Sequence, residues 1–250
     1  MGHRRGIPVA ILGGGTNVVF PDAGYDGLVL HTGALRGRRL EEGAQLRVAA
    51  GERLAGIAWW AAEQGLSGLE WAAGIPGTIG GAVTMNAGTR DGEMAERLVA
   101  VDWLRADGRV ESVPAAALGL GYRTSSLQDE TNGAIVVAAT IALDRDDPDR
   151  CIARARSTIE ERLGKLPLGA SAGSIFRNPP SGPTAGQLLD HAGCKELRVG
   201  EAVVSLRHAN VIVNEGYDNG GDVIELIEQM KQRVNERHGV ELTREVVVFS

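Results

Sequence analysis

The run GIPGTIGGA at residues 74–82 is the most informative segment of the sequence for the fold. A second glycine-rich run, LGGGTN at residues 12–17, follows a short apolar run that is typical of a β-strand. Because glycine has no Cβ atom, the backbone N–H groups of such loops can approach a phosphate closely, with the hydroxyls of Thr16 and Thr78 as further donors. For either loop alone, the alternative is that its glycines only form tight turns. The two loops together favour a nucleotide cofactor whose pyrophosphate they hold.

Neither run matches the usual nucleotide-binding motifs. Gly13 and Gly15 are followed at the third place by Val18, so the GxGxxG pattern fails, and the chain has no GKS or GKT of a P-loop. The nucleophile-elbow pattern GxSxG and the zinc pattern HExxH are also missing from the sequence. The sequence therefore does not favour a hydrolase, and an ordinary dinucleotide-binding fold is not expected.

Composition limits the class of protein further. With 250 residues, 43% hydrophobic and 23% charged, the chain can bury a substantial core and form one or two domains. Its net charge of −6, with no basic run beyond residues 36–39, argues against a nucleic-acid partner. Cys151 and Cys194 stand far apart without a CxxC or Cys/His cluster, which fits a reducing compartment and predicts no metal site. No run approaches the ~20 apolar residues of a membrane span, so we expect a cytoplasmic protein.

The first half of the chain is predicted to be mixed β structure with few helices. Apolar residues at helical spacing between Leu54 and Ala61 predict one helix, and ADG at residues 106–108 predicts a hairpin turn. The predicted elements are strands at 7–12, 27–31, 45–50, 98–104, 109–113 and 134–143, and a helix at 52–64.

The second half is predicted to be more helical, and the polar stretch 144–148 marks a domain boundary between residues 1–146 and 147–250. We expect Asp222 to cap the last helix, with Glu225 three residues on, and Gly239 to end it. The predicted elements are helices at 149–163, 185–191 and 222–237, and strands at 202–205, 211–214 and 245–249.

Several polar side chains stand in contexts that suit chemistry. Arg123, in GYRTS, could bind a carboxylate bidentately, although a surface arginine is the alternative. Ser174, in a run of small residues, could present its hydroxyl to a ligand or could be a turn residue. Glu245 opens an apolar run, where a buried carboxyl could have a raised pKa suited to proton transfer; the alternative is an exposed strand end. For His208 and Asn210, a satisfied structural pair is the default.

Six segments together resemble the UDP-N-acetylenolpyruvoylglucosamine reductase (MurB) family of peptidoglycan synthesis, in the type that lacks a substrate-covering tyrosine loop. They occur in the family's order across essentially the whole chain. The segments are ILGGGTNVV at 11–19, GIPGTIGGAVTMNAG at 74–88, GYRTS at 121–125, SAGSIFRNP at 171–179, HANVIVN at 208–214 and LTRE at 242–245.

The resemblance implies an α+β architecture: a FAD-binding domain of the vanillyl-alcohol-oxidase (PCMH) type over residues 1–146, then a smaller α/β substrate-binding domain over 147–250. It also implies a cytoplasmic flavoprotein oxidoreductase that serves cell-wall biogenesis, cell shape and cell division and needs no obligate protein partner. FAD would be bound non-covalently. Its pyrophosphate would be held by Gly13, Gly14, Gly15, Thr16, Asn17, Gly74, Ile75, Pro76, Gly77, Thr78, Gly80, Gly81 and Ala82.

The implied reaction has two halves. NADPH gives a hydride to the flavin, and the reduced flavin passes it to the enolpyruvyl methylene of UDP-N-acetylglucosamine enolpyruvate, which yields UDP-N-acetylmuramate. Hydride addition puts negative charge on the neighbouring carbon and its carboxylate, so the site needs enolate stabilisers and a proton source. By resemblance, Arg123 and Glu245 would stabilise this intermediate and Ser174 would protonate the carbon. The implied substrate contacts are Arg123, Arg177, Asn178, His208 and Asn210.

The sequence departs from the family pattern at several points. Arg244 stands where the family usually has proline, Arg177 where it usually has lysine, and Thr89-Arg90 where it has a small–aromatic pair. The family also usually begins some tens of residues earlier, so we expect an N-terminally shortened FAD-binding domain. The alternative function is a truncated, catalytically impaired remnant that still binds the sugar nucleotide or the flavin.

Overall fold

The computed structural model describes residues 7–105, 107–129, 133–167, 169–216 and 219–249, with the backbone alone at Lys165. The chain divides into two compact units, Met1–Gly14 with Gly27–Arg162 and Gly15–Asp26 with Leu163–Ser250. The strands are β1 (Val9–Leu12), β2 (Val18–Val19), β3 (Leu28–His31), β4 (Arg38–Leu40), β5 (Gln45–Ala49), β6 (Leu66–Ser67), β7 (Gly88–Thr89), β8 (Gly92–Glu93), β9 (Leu98–Leu104), β10 (Val110–Pro114), β11 (Ile135–Ala142), β12 (Asp144–Arg145), β13 (Arg198–Val199), β14 (Ala202–Val204), β15 (Ile212–Asn214) and β16 (Val247–Val248). The α-helices are α1 (Leu54–Glu63), α2 (Ile79–Thr84), α3 (Pro148–Lys165), α4 (Ala185–His191) and α5 (Gly220–His238).

The first unit is built on an antiparallel five-stranded sheet in the order β10-β9-β11-β5-β4. Alternate residues of β5, Leu46 and Val48, are fully buried, as the period of two in a half-buried strand requires. The apolar stripe of α1, which includes Leu54 and Ile57, joins the same core. Each such side chain contributes about 1.5–3 kcal/mol by its burial. A separate parallel pair, β1 with β3, leads into the first glycine-rich run.

The helix α3 belongs to the first unit, because Cys151 and Ala155 are fully buried in that unit's core. The compact units therefore divide the chain after Arg162, and not at the polar stretch before the helix. The domain limits of 1–146 and 147–250 stay a prediction for the functional domains. The compact units are defined by packing, and they assign residues 15–26 to the second unit.

The second unit contains the antiparallel sheet β13-β14-β15 and the helices α4 and α5. Its core includes Phe176, Leu189, Leu226 and Met230. Residues 15–26 join this unit because β2 pairs in parallel with the terminal strand β16. Two further contacts hold residues 15–26 in the second unit. Phe20 stacks on Phe249 with ring centroids 4.7 Å apart, and the N–H of Gly221 donates to Oδ1 of Asp22 at 2.9 Å.

Most predicted elements are confirmed, and so is the α+β class. The helix at residues 185–191 has the predicted bounds, and Gly239 ends α5 with a φ of +65°, a conformation that glycine adopts without strain. Asp222 does not cap α5, so that prediction is wrong. The helix begins earlier, after Asn219, and Asp222 instead accepts hydrogen bonds from the N–H of Glu201 and from Nδ2 of Asn219.

Other predicted elements differ in extent. The strand predicted at 245–249 is reduced to β16, and residues 79–84 form the helix α2 where only a glycine-rich loop was predicted. Residue 106 of the predicted hairpin turn lies outside the described residues, but β9 and β10 pair as predicted. Of the helices in the described ranges, none is long and apolar enough to cross a membrane.

Candidate functional site

The two glycine-rich runs meet within the first unit. Gly13 follows β1 and lies against Thr78, where a Cβ atom on Gly13 would come within 2.5 Å of the threonine Oγ1. Thr78 caps the N-terminus of α2, with its Oγ1 accepting a hydrogen bond from the N–H of Gly81 at 3.3 Å. Gly80 packs closely on Ala50, the residue after β5, and its N–H donates to the carbonyl of Ala50 at 2.8 Å. A glycine at position 13 is therefore required by the close approach of the two segments.

The residues at this contact fit a pyrophosphate. Within the described ranges, the backbone N–H groups of Gly13, Gly14, Gly77 and Thr78 have no hydrogen-bond partner in the protein. Unpaired N–H groups on small residues are the donors that anion-binding loops use. These donors are suited to the pyrophosphate contact that the sequence predicts for both runs. The N–H groups of Ile75, Gly80 and Ala82, also predicted as cofactor contacts, donate within the fold, to Ala72, Ala50 and Thr78.

The end of the first glycine-rich run belongs to the second unit and reaches the segments that carry the predicted catalytic residues. Nδ2 of Asn17 donates to the carbonyl of Glu245 at 3.2 Å, and the N–H of Val247 donates to the carbonyl of Asn17 at 3.0 Å. A Cβ atom on Gly173 would lie 4.0 Å from the carbonyl oxygen of Thr16. The predicted cofactor contacts Thr16 and Asn17 thus lie beside the backbone of both Ser174 and Glu245.

Ser174 and Glu245 are brought together by backbone pairing. The N–H of Glu245 donates to the carbonyl of Ile175 at 2.8 Å, and the N–H of Arg177 donates to the carbonyl of Thr243 at 2.9 Å. Ser174 also forms an antiparallel bridge with Val211. Ser174 and Glu245 are both half-buried. The structure therefore gathers two candidates that the sequence analysis found in separate motifs.

Asn210 fixes the strand-like segment that carries Ser174. Its side chain is buried and bonds the main chain of Phe176 in both directions, with Oδ1 accepting from the N–H at 2.9 Å and Nδ2 donating to the carbonyl at 2.8 Å. Nδ1 of His208 accepts from the N–H of Asn210 at 3.3 Å, and the His208 ring lies on Gly186 of α4. Both residues were predicted as substrate contacts, and the geometry favours a positioning role for each.

Burial lowers the pKa of His208, and the positive charge of Lys195 adds to that effect. The neutral ring suits the structure, because Nδ1 must keep its lone pair to accept the hydrogen bond from Asn210. The hydrogen bond that His208 accepts from the N–H of Asn210 therefore requires an unprotonated Nδ1.

The two remaining substrate candidates of the second unit differ from each other. Asn178 is exposed, and its Oδ1 accepts a hydrogen bond from the N–H of Ala185 at 3.0 Å, which fixes the start of α4. Arg177 is half-buried, and its Nε is buried with no hydrogen-bond partner among the described residues. A buried donor without a partner is costly, so Arg177 is the stronger candidate for a ligand contact.

Arg123 lies in the first unit and is held by main-chain carbonyls. Nη2 donates to the carbonyl of Gly88 at 2.6 Å, Nη1 donates to the carbonyl of Asn86 at 3.4 Å, and the guanidinium lies 5.0 Å from the centre of the Tyr122 ring. The φ of Arg123 is +56°, an uncommon conformation for a residue with a side chain and one that clusters at functional sites.

Asn86 was not among the predicted site residues, yet it ties down the Arg123 loop. It is fully buried with a φ of +40°; its Nδ2 donates to the carbonyl of Gly121 at 2.8 Å and its Oδ1 accepts from the N–H of Ala95 at 2.9 Å. Ser125 and Gln128 add hydrogen bonds to the carbonyl of Thr84 at 2.6 and 3.1 Å. The available signal was an asparagine shortly after the glycine-rich run 74–82, since asparagine tolerates a positive φ better than most residues.

Comparisons with known proteins identify the family of the chain. A model of the FAD binding domain matches residues 1–114, and one of the UDP-N-acetylenolpyruvoylglucosamine reductase C-terminal domain matches residues 160–249. Proteins named UDP-N-acetylenolpyruvoylglucosamine reductase from Synechococcus sp. (strain JA-3-3Ab) and Rubrobacter xylanophilus are 43% and 44% identical, covering 99% and 98% of this chain and 79% and 82% of their own lengths. The crystal structure of that reductase (MurB) from Thermus caldophilus matches with a TM-score of 0.84 at 39% identity, over 98% of this chain and 86% of that one.

The fold and the matched models define the class as a FAD-dependent oxidoreductase. The chain belongs to the UDP-N-acetylenolpyruvoylglucosamine reductase family. The family, the enzyme class and the FAD cofactor predicted from the sequence are thereby confirmed.

Gly13→Ala tests the contact between the two glycine-rich runs. We expect the added methyl group to displace Thr78 and to weaken FAD binding at least about tenfold, or about 1.4 kcal/mol. Fluorescence titration of the apoprotein with FAD measures this affinity. Gly164→Ala is the control, because open space surrounds a Cβ at that position. Equal FAD affinity in the Gly13→Ala variant and the wild type would contradict the close packing described here.

Asn86→Asp tests the support of the Arg123 loop. The carboxylate cannot donate to the Gly121 carbonyl, so we expect a loss of about 1–3 kcal/mol in unfolding free energy and a slower reduction of the enolpyruvyl substrate. Asn214→Asp is the control, since Asn214 accepts a hydrogen bond from Gly216 through Oδ1 and keeps that acceptor. Chemical denaturation and rapid-mixing kinetics measure the two effects. Wild-type values for both would show that Asn86 does not support the loop.

The pKa of His208 can be followed by NMR titration of its ring Cε1–H signal, assigned by comparison with His208→Asn. We expect a midpoint below 6.5, the ordinary value for histidine. Because the folded pKa is lowered, the stability from this group is complete above pH 6.5 and is lost as the pH falls towards the folded pKa. A midpoint at or above 6.5 would contradict a buried, neutral His208.

Proposed function

We propose that this protein reduces the enolpyruvyl group of UDP-N-acetylglucosamine enolpyruvate to UDP-N-acetylmuramate, with FAD as cofactor and NADPH as hydride donor. The observation that carries the proposal is the pairing of Glu245 with Ile175, which places Ser174 and Glu245 on adjacent backbone segments. It occurs in a chain that matches reductases of this name over nearly its whole length. Peptidoglycan precursor synthesis, and through it cell shape and division, would be the cellular role.

When bound, FAD would supply the hydride chemistry that links NADPH to the substrate. Addition of the hydride to the methylene carbon leaves negative charge on the adjacent carbon and its carboxylate. We assign stabilisation of that charge to Arg123 and to Glu245, whose carboxyl would serve as a neutral acid that donates a hydrogen bond to the negative charge. A guanidinium suits this role because it stays charged and presents a planar set of donors to a carboxylate.

We assign the proton transfer to Ser174. An alkyl hydroxyl is a weak acid, so it can protonate only a much stronger base that is held in contact with it. A substrate carbanion is such a base. Ser174 is suited to the role by rigidity, since the next two residues are held on one side by Asn210 and on the other by Glu245.

Substrate binding in the second unit is assigned to Arg177 and Asn178. The unpartnered Nε of Arg177 suits an anionic group of a UDP-sugar, for which arginine is a common ligand. Asn210 contributes by bonding the main chain of Phe176, and His208 contributes by accepting a hydrogen bond from the N–H of Asn210. The other substrate contact that we propose is Arg123, in the first unit.

The competing function is a binding remnant of the same family that is impaired in catalysis. A remnant that cannot keep flavin would be colourless after desalting, and one that keeps flavin would show no substrate-dependent NADPH oxidation. The cytoplasmic location and the lack of an obligate protein partner stay predictions. Cys151 and Cys194 are buried free thiols, as a reducing compartment allows.

The test uses the FAD-loaded full chain with NADPH and UDP-N-acetylglucosamine enolpyruvate. We expect substrate-dependent NADPH oxidation and formation of UDP-N-acetylmuramate. In Ser174→Ala, reduction of the flavin by NADPH should proceed normally, while its reoxidation by the substrate should slow about 100- to 10,000-fold. Ser171→Ala, in the same segment but exposed, is the matched control.

Rapid-mixing absorbance at the flavin band separates the two half-reactions. No substrate-dependent NADPH oxidation by the loaded wild type would refute the proposed activity. Equal loss of both half-reactions in Ser174→Ala would refute the role given to Ser174 alone.

A further inference from the structure

Arg162 occupies a position on α3 that faces the protein interior. The helix buries Cys151 and Ala155 in the core of the first unit, and Ile159 packs against the same core. Arg162 continues this stripe at the next helical repeat, where the spacing i, i+4, i+8 and i+11 predicts an apolar residue. Its Nε atom is buried. A permanent positive charge therefore stands at a position that the helix periodicity assigns to the core.

No group in the described part of the chain pairs with this guanidinium. Arg154, two turns earlier on α3, is fully engaged and donates to Glu70 at 2.6 Å, Asp146 at 2.8 Å and Ser67 at 3.1 Å. The adjacent Glu161 pairs with Arg90 at 2.6 Å. Burial alone lowers the pKa of Arg162. Arg162 as a whole is half-buried, but its Nε is shielded from solvent and has no partner among the described residues. An unpaired donor on a charged group is costly to bury, and no side chain in the described ranges offsets that cost.

The side chain of Arg162 lies directly on the second glycine-rich run. A Cβ atom on Gly74 would come within 2.7 Å of Arg162 Cδ and 3.3 Å of its Nε. Gly74 is the first residue of the run 74–82, which also contains Thr78 with its unpaired N–H group. The lack of a side chain at position 74 thus gives the arginine access to the segment on which we place the cofactor.

We propose that Arg162 is a FAD-binding residue whose guanidinium balances the negative charge of the dinucleotide's pyrophosphate. This inference rests on the proposed function, because it requires FAD at residues 74–82. The pyrophosphate is the charged group of oxidised FAD at neutral pH, and arginine binds phosphate oxygens with two parallel hydrogen bonds. The bound anion would then supply the counter-charge that the described residues do not.

The test compares Arg162→Gln, Arg162→Lys and the control Arg154→Gln as apoproteins. We expect Arg162→Gln to bind FAD about 10- to 100-fold more weakly than wild type, as for loss of a charged hydrogen bond, and Arg162→Lys to recover part of that loss. The melting temperature without FAD should be unchanged or higher in Arg162→Gln, because the variant removes a half-buried charge that no described residue pairs. Arg154→Gln should show the opposite pattern: a lower melting temperature without FAD and an unchanged FAD affinity.

The outcomes separate this inference from the proposed function. Failure of the wild type to bind FAD would overturn both. Normal FAD binding by the wild type together with equal affinity in Arg162→Gln would overturn the inference alone, and so would unchanged FAD affinity with a raised KM for NADPH or the UDP-sugar. A lower melting temperature of Arg162→Gln without FAD, with no loss of FAD affinity, would assign Arg162 a structural role instead.

Discussion

The hydrogen bond from the N–H of Glu245 to the carbonyl of Ile175 is the interaction on which the second unit's site depends. It joins the end of the chain to the segment that carries Ser174, and Asn210 holds the other side of that segment through Phe176. Asn17 then connects the glycine-rich run to the same place through the carbonyl of Glu245. Three segments distant in sequence are therefore fixed by main-chain contacts, which leaves side chains available for chemistry.

The first unit uses the same device around Arg123. Its guanidinium bonds main-chain carbonyls, and the loop that carries it is tied to the end of α2 by Asn86, Ser125 and Gln128. Because the anchoring side chains bond backbone groups, the loop geometry depends little on the identity of the neighbouring side chains. The positive φ of Arg123 is maintained by these bonds, since strained conformations persist only where the surroundings over-determine them.

The sequence predicted the regular elements well because their signals are local. Alternation in β5 and the apolar stripe of α5 follow from periods of 2 and 3.6, and packing did not override either. The helix α2 was missed because Gly80 and Gly81 disfavour a helix by local preference, while packing of Gly80 against Ala50 stabilises it. The sequence could not predict that residues 15–26 belong to the second unit. They do so because β2 pairs with β16, more than two hundred residues away along the chain.

The site was predictable as a set of motifs but not as a set of contacts. Asn210 shows why, since the motif HANVIVN identifies the residue while only the structure shows its amide bonded to the main chain of Phe176. Hydrogen-bond satisfaction then separates supporting residues from ligand-facing ones. Buried polar groups are normally paired, so unpaired donors mark places where a partner is still to come. Among the described residues, two buried side-chain atoms without a partner lie at the ends of α5, the acceptor Oδ1 of Asn219 and Nε2 of His238. The Nε atoms of Arg162 and Arg177 are also buried without a partner, and both are donors on charged groups. Arg162 lies beside the predicted cofactor segment, and Arg177 lies in the predicted substrate segment. FAD and a UDP-sugar each contain a pyrophosphate group. The unpaired donors and the chemistry of the proposed ligands therefore both favour Arg162 as a FAD contact and Arg177 as a substrate contact.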